Sequence, residues 1–210
     1  MTMYTALLLV VAALFPGAGS APPPAETIPL SAKGKELAAA LDAMDVKNRW
    51  LPTRHVSNWK TGEADDKKGG PRTHCSLFVS AACWKLHVPM LDPPPQTLLA
   101  NRQQAWLQKE GKKKGWRQVS DPVEAQRLAN QGVVVVASYR NPNPKRAGHI
   151  AVVRPAAVDA AGVRKTGPRV TQSGGTNYTN ASVKTGFRNH PGAWEHGEVL
   201  FFAYKAGSDR

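Results

Sequence analysis

Two residues in this chain combine reactive side chains with local settings that could activate them. Cys75 lies in HCSLFVSAACWKLHV, a segment whose apolar content reads as a helix starting at or near the cysteine. A thiol at a helix start feels the positive end of the macrodipole, which favours thiolate. His149 opens HIAVVR, which reads as a strand, directly after Ala147-Gly148, where a backbone can approach closely. A thiolate beside an imidazole is a nucleophile–base pair suited to attack on a carbonyl. The other cysteine, Cys83, falls eight residues along the same helix. Eight helical residues span about 12 Å, too far for a disulfide. Cys83 shares a face with Val79 and reads as core.

The elements that must hold these two residues can be traced outward. Ser31 opens a helix with Leu37, Leu41 and Met44 on one face. Residues 48–73 carry Trp50 and Trp59 among prolines, glycines and charges and read as irregular. Residues 96–109 read as a helix anchored by Leu98, Leu99 and Trp106, followed by a basic loop, EGKKKG, at 110–115. The best-marked helix is 121–131, with Asp121 as cap, Pro122 in the first turn, Glu124 at capping-box spacing and Gly132 at the end. Strands are expected at 133–138, 149–154, 169–173 and 198–204. Helices early and mostly antiparallel strands later point to an α+β domain.

The N-terminal segment is a separate object. Residues 4–15, YTALLLVVAALF, have the length of a signal-peptide apolar core, and small residues follow at Ala18 and Ser20. We therefore expect residues 1–20 to be a secretory leader, 21–31 a Pro-rich linker and 32–210 one domain, exported to the periplasm or beyond. No later run is long enough to span a membrane. Lys and Arg outnumber Asp and Glu by 28 to 15, a net charge of +13. That excess suits an acidic polymer or surface. No nucleic-acid-binding motif accompanies it, so a nucleic-acid partner is not expected.

Cys75-Ser76-Leu77-Phe78-Val79, with Trp84-Lys85-Leu86-His87-Val88-Pro89 behind it, resembles the nucleophile helix of NlpC-like cell-wall peptidases. Ala147-Gly148-His149-Ile150-Ala151-Val152-Val153 resembles their histidine strand. Val170-Thr171-Gln172-Ser173-Gly174 falls where their third polar residue sits. The order Cys, His, polar is shared with CHAP-like amidohydrolases, and both groups belong to the papain-like superfamily. The resemblance covers roughly residues 73–204. It implies a Cys-bearing helix packed on a central antiparallel sheet, with extra helices between Cys75 and His149. It departs from the NlpC pattern at His74, where that family often has Asp.

From this resemblance the expected activity is cysteine-dependent cleavage of amide bonds in bacterial peptidoglycan, without a metal or other cofactor, by a monomer. Cys75 would be the nucleophile, His149 the base and Gln172 the orienting residue. Asn177, in the Gly- and Asn-rich GGTNYTN, is the rival for the third place. His74, Trp59 and His55 are candidate substrate-binding residues. Two other readings compete: a non-catalytic, cationic envelope-binding module on the same fold, and a papain-like enzyme acting on protein or lipid amides. His190 and His196, around Trp194, lack the tight spacing of a zinc site.

Overall fold

The computed structural model describes residues 26–91, 93 and 99–205. The expected leader, the first five residues of the expected linker and Leu98 lie outside the described residues. The rest of that linker belongs to the fold. Thr27–Ile28 form strand β1, and Ile28 is buried with Val123, Ala160 and Val163. Ser31 then caps helix α1 (Ala32–Asp42), its Oγ accepting from the Gly34 N–H at 3.0 Å. The same hydroxyl donates to the Asn130 carbonyl, so cap and domain are tied together. Leu37, Leu41 and Met44 are buried on one face, as their spacing requires.

Residues 48–73 are less irregular than expected. Val56–Asn58 (β2) and Glu63–Ala64 (β3) form a small antiparallel hairpin. Trp50 closes over it, with Nε1 donating to the Trp59 carbonyl. Helix α2 runs from Cys75 to Lys85 and is buried on nearly every side. Helix α3 (Leu99–Trp106) widens into a π turn over Leu107–Gly111. The expected basic loop is therefore partly helical, and its lysines project from a helix end. Trp116–Val119 form β4, a strand the sequence reading did not anticipate.

Helix α4 (Pro122–Asn130) starts as expected: Asp121 Oδ1 accepts from the Val123 N–H at 2.9 Å. Glu124 does not close the capping box but pairs with Arg127 at 3.0 Å. Gly132 adopts φ 89°, and a Cβ there would meet Lys33 at 2.7 Å, so glycine is needed for both shape and approach. Then follow β5 (Val135–Tyr139), β6 (His149–Val153), β7 (Val158–Asp159), α5 (Ala160–Thr166), β8 (Arg169–Gln172), β9 (Tyr178–Ser182), α6 (Val183–Gly186) and β10 (Leu200–Tyr204).

Six strands make one antiparallel sheet in the order β4-β10-β5-β6-β8-β9, and β1 pairs separately with β7. Side chains alternate across the sheet. Val136, Ile150, Val152 and Phe202 meet Phe78, Val79, Ala82 and Cys83 of α2 on one face. Val135, Ala137, Ala151, Val153 and Phe201 meet Ala125 and Ala129 of α4 on the other. Covering both faces explains why β5 and β6 read as continuous apolar runs rather than alternating ones. The domain is α+β, as expected. No described helix is long and apolar enough to cross a membrane.

Candidate active site

The start of α2 and the start of β6 meet at one end of the sheet. Cys75 is the first residue of α2, and His74 before it makes no side-chain cap bond. The first-turn N–H groups of a helix have no partner within it, so the Cys75 N–H and the positive helix end lie at the thiol itself. His149 is placed by pairing with Tyr139 on β5. Gly148 allows this, because a Cβ there would collide with the Tyr139 carbonyl. Both Cys75 and His149 are 5% exposed, and both cysteines are free thiols.

Gln172 lies at the end of β8 on the same side of the sheet as His149. The imidazole Nε2–H donates to Gln172 Oε1 at 2.8 Å, leaving Nδ1 for the thiol. Gln172 is 2% exposed, and its Nε2 reaches the Thr176 carbonyl at 3.4 Å. Gly186 in α6 leaves room for it: a Cβ there would meet Gln172 Oε1 at 2.6 Å. The Phe187 ring stands edge-on to the imidazole at 4.6 Å between centroids. The imidazole is thus fixed in position and tautomer by packing on one side and an amide on the other.

The electrostatics follow. Burial by itself would push the Cys75 thiol up. The His149 charge and hydrogen bonds from His149, Ser76 and the Ile150 N–H outweigh burial and bring it down to about 7. Burial disfavours the His149 imidazolium, but the facing thiolate and the bonds to Cys75 and Gln172 raise its pKa above the ordinary value. The geometry therefore favours a thiolate–imidazolium pair. Cys83 has no such partner, and burial pushes it up to about 12.

Of the two candidates for the third place, only Gln172 reaches His149. Asn177 is a buried clamp instead. Its Nδ2 donates to the carbonyls of Val46 at 2.6 Å and Arg49 at 3.0 Å, and its Oδ1 accepts from the Gly174 N–H at 3.0 Å. A cleft of about 290 Å³ opens beside His149 and Gln172, lined also by Arg72, Gly148, Arg188 and His190; Cys75 does not itself line it.

The three expected substrate-binding residues do not line this cleft. His74 is 3% exposed; its Nε2–H donates to the Arg54 carbonyl at 2.9 Å, and burial holds its pKa below the ordinary value. It anchors the loop before α2 rather than facing solvent. His55 pairs through Nδ1 with Asp65 at 2.9 Å beside the small hairpin. Trp59 packs partly buried against the α2 core, with the Lys60 ammonium 5.7 Å from its ring.

The sequence reading missed His190 and Arg188 as cleft residues. The His190 ring lies 5.9 Å from His149 and 4.8 Å from Tyr139, centroid to centroid. Burial and the neighbouring His149 charge bring its pKa down to about 4, so it stays neutral beside the imidazolium. Its position depends on the turn after α6, which no local pattern announced. Among the described residues no group of three or more His, Cys, Asp or Glu side chains could hold a metal. No protein-family model matches the chain, and no curated protein matches it in sequence. The chemistry of these side chains therefore carries the functional argument.

Proposed function

We propose that the protein is an exported cysteine amidohydrolase, of the papain-like NlpC or CHAP kind, that cleaves amide or peptide bonds of bacterial peptidoglycan. The observation that carries this reading is the buried Cys75–His149–Gln172 relay, whose His149 and Gln172 line a cleft, with the thiol lowered to about 7. The Cys75 thiolate attacks the amide carbonyl. The developing oxyanion is met by the Cys75 N–H at the start of α2. The His149 imidazolium gives its Nδ1 proton to the leaving amine, while Gln172 keeps Nε2–H oriented. Water, deprotonated by His149, then attacks the thioester. This releases a carboxylic acid and restores thiolate and imidazolium.

The apolar N-terminal run supports export, and the +13 charge supports an acidic envelope polymer as the partner. Incubation with isolated peptidoglycan, read as release of primary amines, tests the proposal. Wild type is expected to release amines and Cys75→Ala none. No release by wild type from any wall preparation would favour a binding module without catalysis.

A further inference from the structure

We infer that Arg188 is a receptor for a substrate carboxylate close to the scissile amide; the inference rests on the amidohydrolase reading and specifies what that cleft accepts. Arg188 projects from the turn after α6 into the cleft wall shared with His149 and Gln172. Its guanidinium is held in place rather than free. One nitrogen donates to Thr176 Oγ1 at 2.9 Å, and the group lies 5.7 Å from the centre of the Tyr178 ring. Neither Arg188 nor Arg72, on the same cleft, forms an ion pair among the described residues. No Asp or Glu lines the cleft. Two exposed arginines therefore line it without a protein anion.

A guanidinium carries five N–H donors in a planar fork that matches a carboxylate. Thr176 uses one, and the remainder are available to a ligand. Thr176 also connects Arg188 to the relay. Its hydroxyl accepts from Arg188, and its carbonyl accepts from Gln172, whose Oε1 holds His149. An anion on Arg188 would thus sit on the same short loop that positions the base. The Gly174-Gly175 pair keeps this loop bare: a Cβ at Gly175 would meet Asn189 Nδ2 at 3.0 Å.

The test uses two probes of Cys75 that differ in charge, and two forms of the substrate. Iodoacetate and iodoacetamide alkylate the same thiol, so their rate ratio reports attraction of a carboxylate to the cleft whether or not the protein hydrolyses anything. Arg188→Gln is expected to lower that ratio by about 10-fold or more, the scale of a hydrogen bond to a charged group. Lys113→Gln, a charge change beyond the π turn and outside the cleft lining, is expected to leave it unchanged. Glutarate should protect Cys75 from iodoacetamide in wild type and lose that effect in Arg188→Gln. Protection by inorganic phosphate but not glutarate would overturn the carboxylate assignment.

With soluble wall peptides, wild type should prefer native carboxylates over peptides whose carboxylates have been converted to amides, by about 10- to 100-fold in kcat/KM. Arg188→Gln should abolish the preference. A ratio and a preference both unaffected by Arg188→Gln would overturn the inference. An altered ratio without hydrolysis of either peptide would overturn the amidohydrolase reading alone.

Discussion

Replacing Gln172 isolates the part of the relay that does no bond-making itself. Its Oε1 accepts from the His149 Nε2–H at 2.8 Å in a site where both residues are almost fully buried. When His149 is protonated this is a charge-assisted bond, worth about 1.5–3 kcal/mol. At about 1.4 kcal/mol per decade, Gln172→Ala should lower kcat/KM by about 10- to 150-fold. Cys75→Ala and His149→Ala should abolish turnover. The pH profile separates orientation from simple loss of packing. The active pair exists above the Cys75 pKa, near 7, and below that of His149. The Gln172 carbonyl favours the imidazolium, so removing it should lower the alkaline limb, whereas Gln172→Glu, by adding a negative charge, should raise it. Rates measured from pH 5 to 10 on soluble wall peptides, with circular dichroism as the check on folding, decide the matter. A Gln172→Ala variant with undiminished rate and an unmoved alkaline limb would refute the orienting role.

Three further outcomes are expected. At pH 7 iodoacetamide should label Cys75 almost exclusively, because burial pushes the Cys83 thiol up to about 12 and leaves it almost wholly protonated; peptide mapping that finds Cys83 labelled first would contradict the site. Asn177→Ala should strip a partner from the carbonyls of Val46, Arg49 and Trp50 and from the Gly174 N–H, costing about 2–4 kcal/mol and lowering Tm by roughly 5–15 °C, with the relay itself left intact; calorimetry showing an unchanged Tm would contradict the clamp. His190 is held near 4 against an ordinary value of 6.5, so the folded protein binds fewer protons than the unfolded chain between those values. Its contribution to stability is full above about pH 6.5 and is lost as pH falls toward 4; buried His74 acts in the same direction. Thermal melts across that range should show the loss, and His190→Gln should flatten it.

The parts of the fold that were legible in the sequence are those set by local chemistry. Asp121 and Pro122 announce α4, Ser31 announces α1, and the apolar runs at 133–138 and 149–154 announce the two central strands, Val135–Tyr139 and His149–Val153. The edges were not legible. Strand β9 reads YTNAS, and its place depends on backbone pairing with β8 rather than on an apolar pattern. Strand β1 has only two residues and is stabilised by Ile28 entering a distant cluster. The same division runs through the site. Cys75, His149 and Gln172 lie on elements whose ends were readable. His74, His55 and Trp59 have side chains suited to a substrate groove, yet those side chains face Arg54, Asp65 and the α2 core. Arg188 and His190 reach the cleft through the turn after α6, more than a hundred residues from Cys75, where one sequence offers no periodicity to read.

The central claim is that Cys75 attacks an amide carbonyl with His149 supplying the proton. Mass spectrometry of peptidoglycan fragments after incubation in ¹⁸O-labelled water tests it most directly. Wild type should yield fragment pairs that together gain one water, with the label in a newly formed carboxylate and a new amine on the partner fragment. Cys75→Ala and His149→Ala should yield neither. Fragments left unchanged by the wild-type protein, or cleaved equally by Cys75→Ala, would contradict the account.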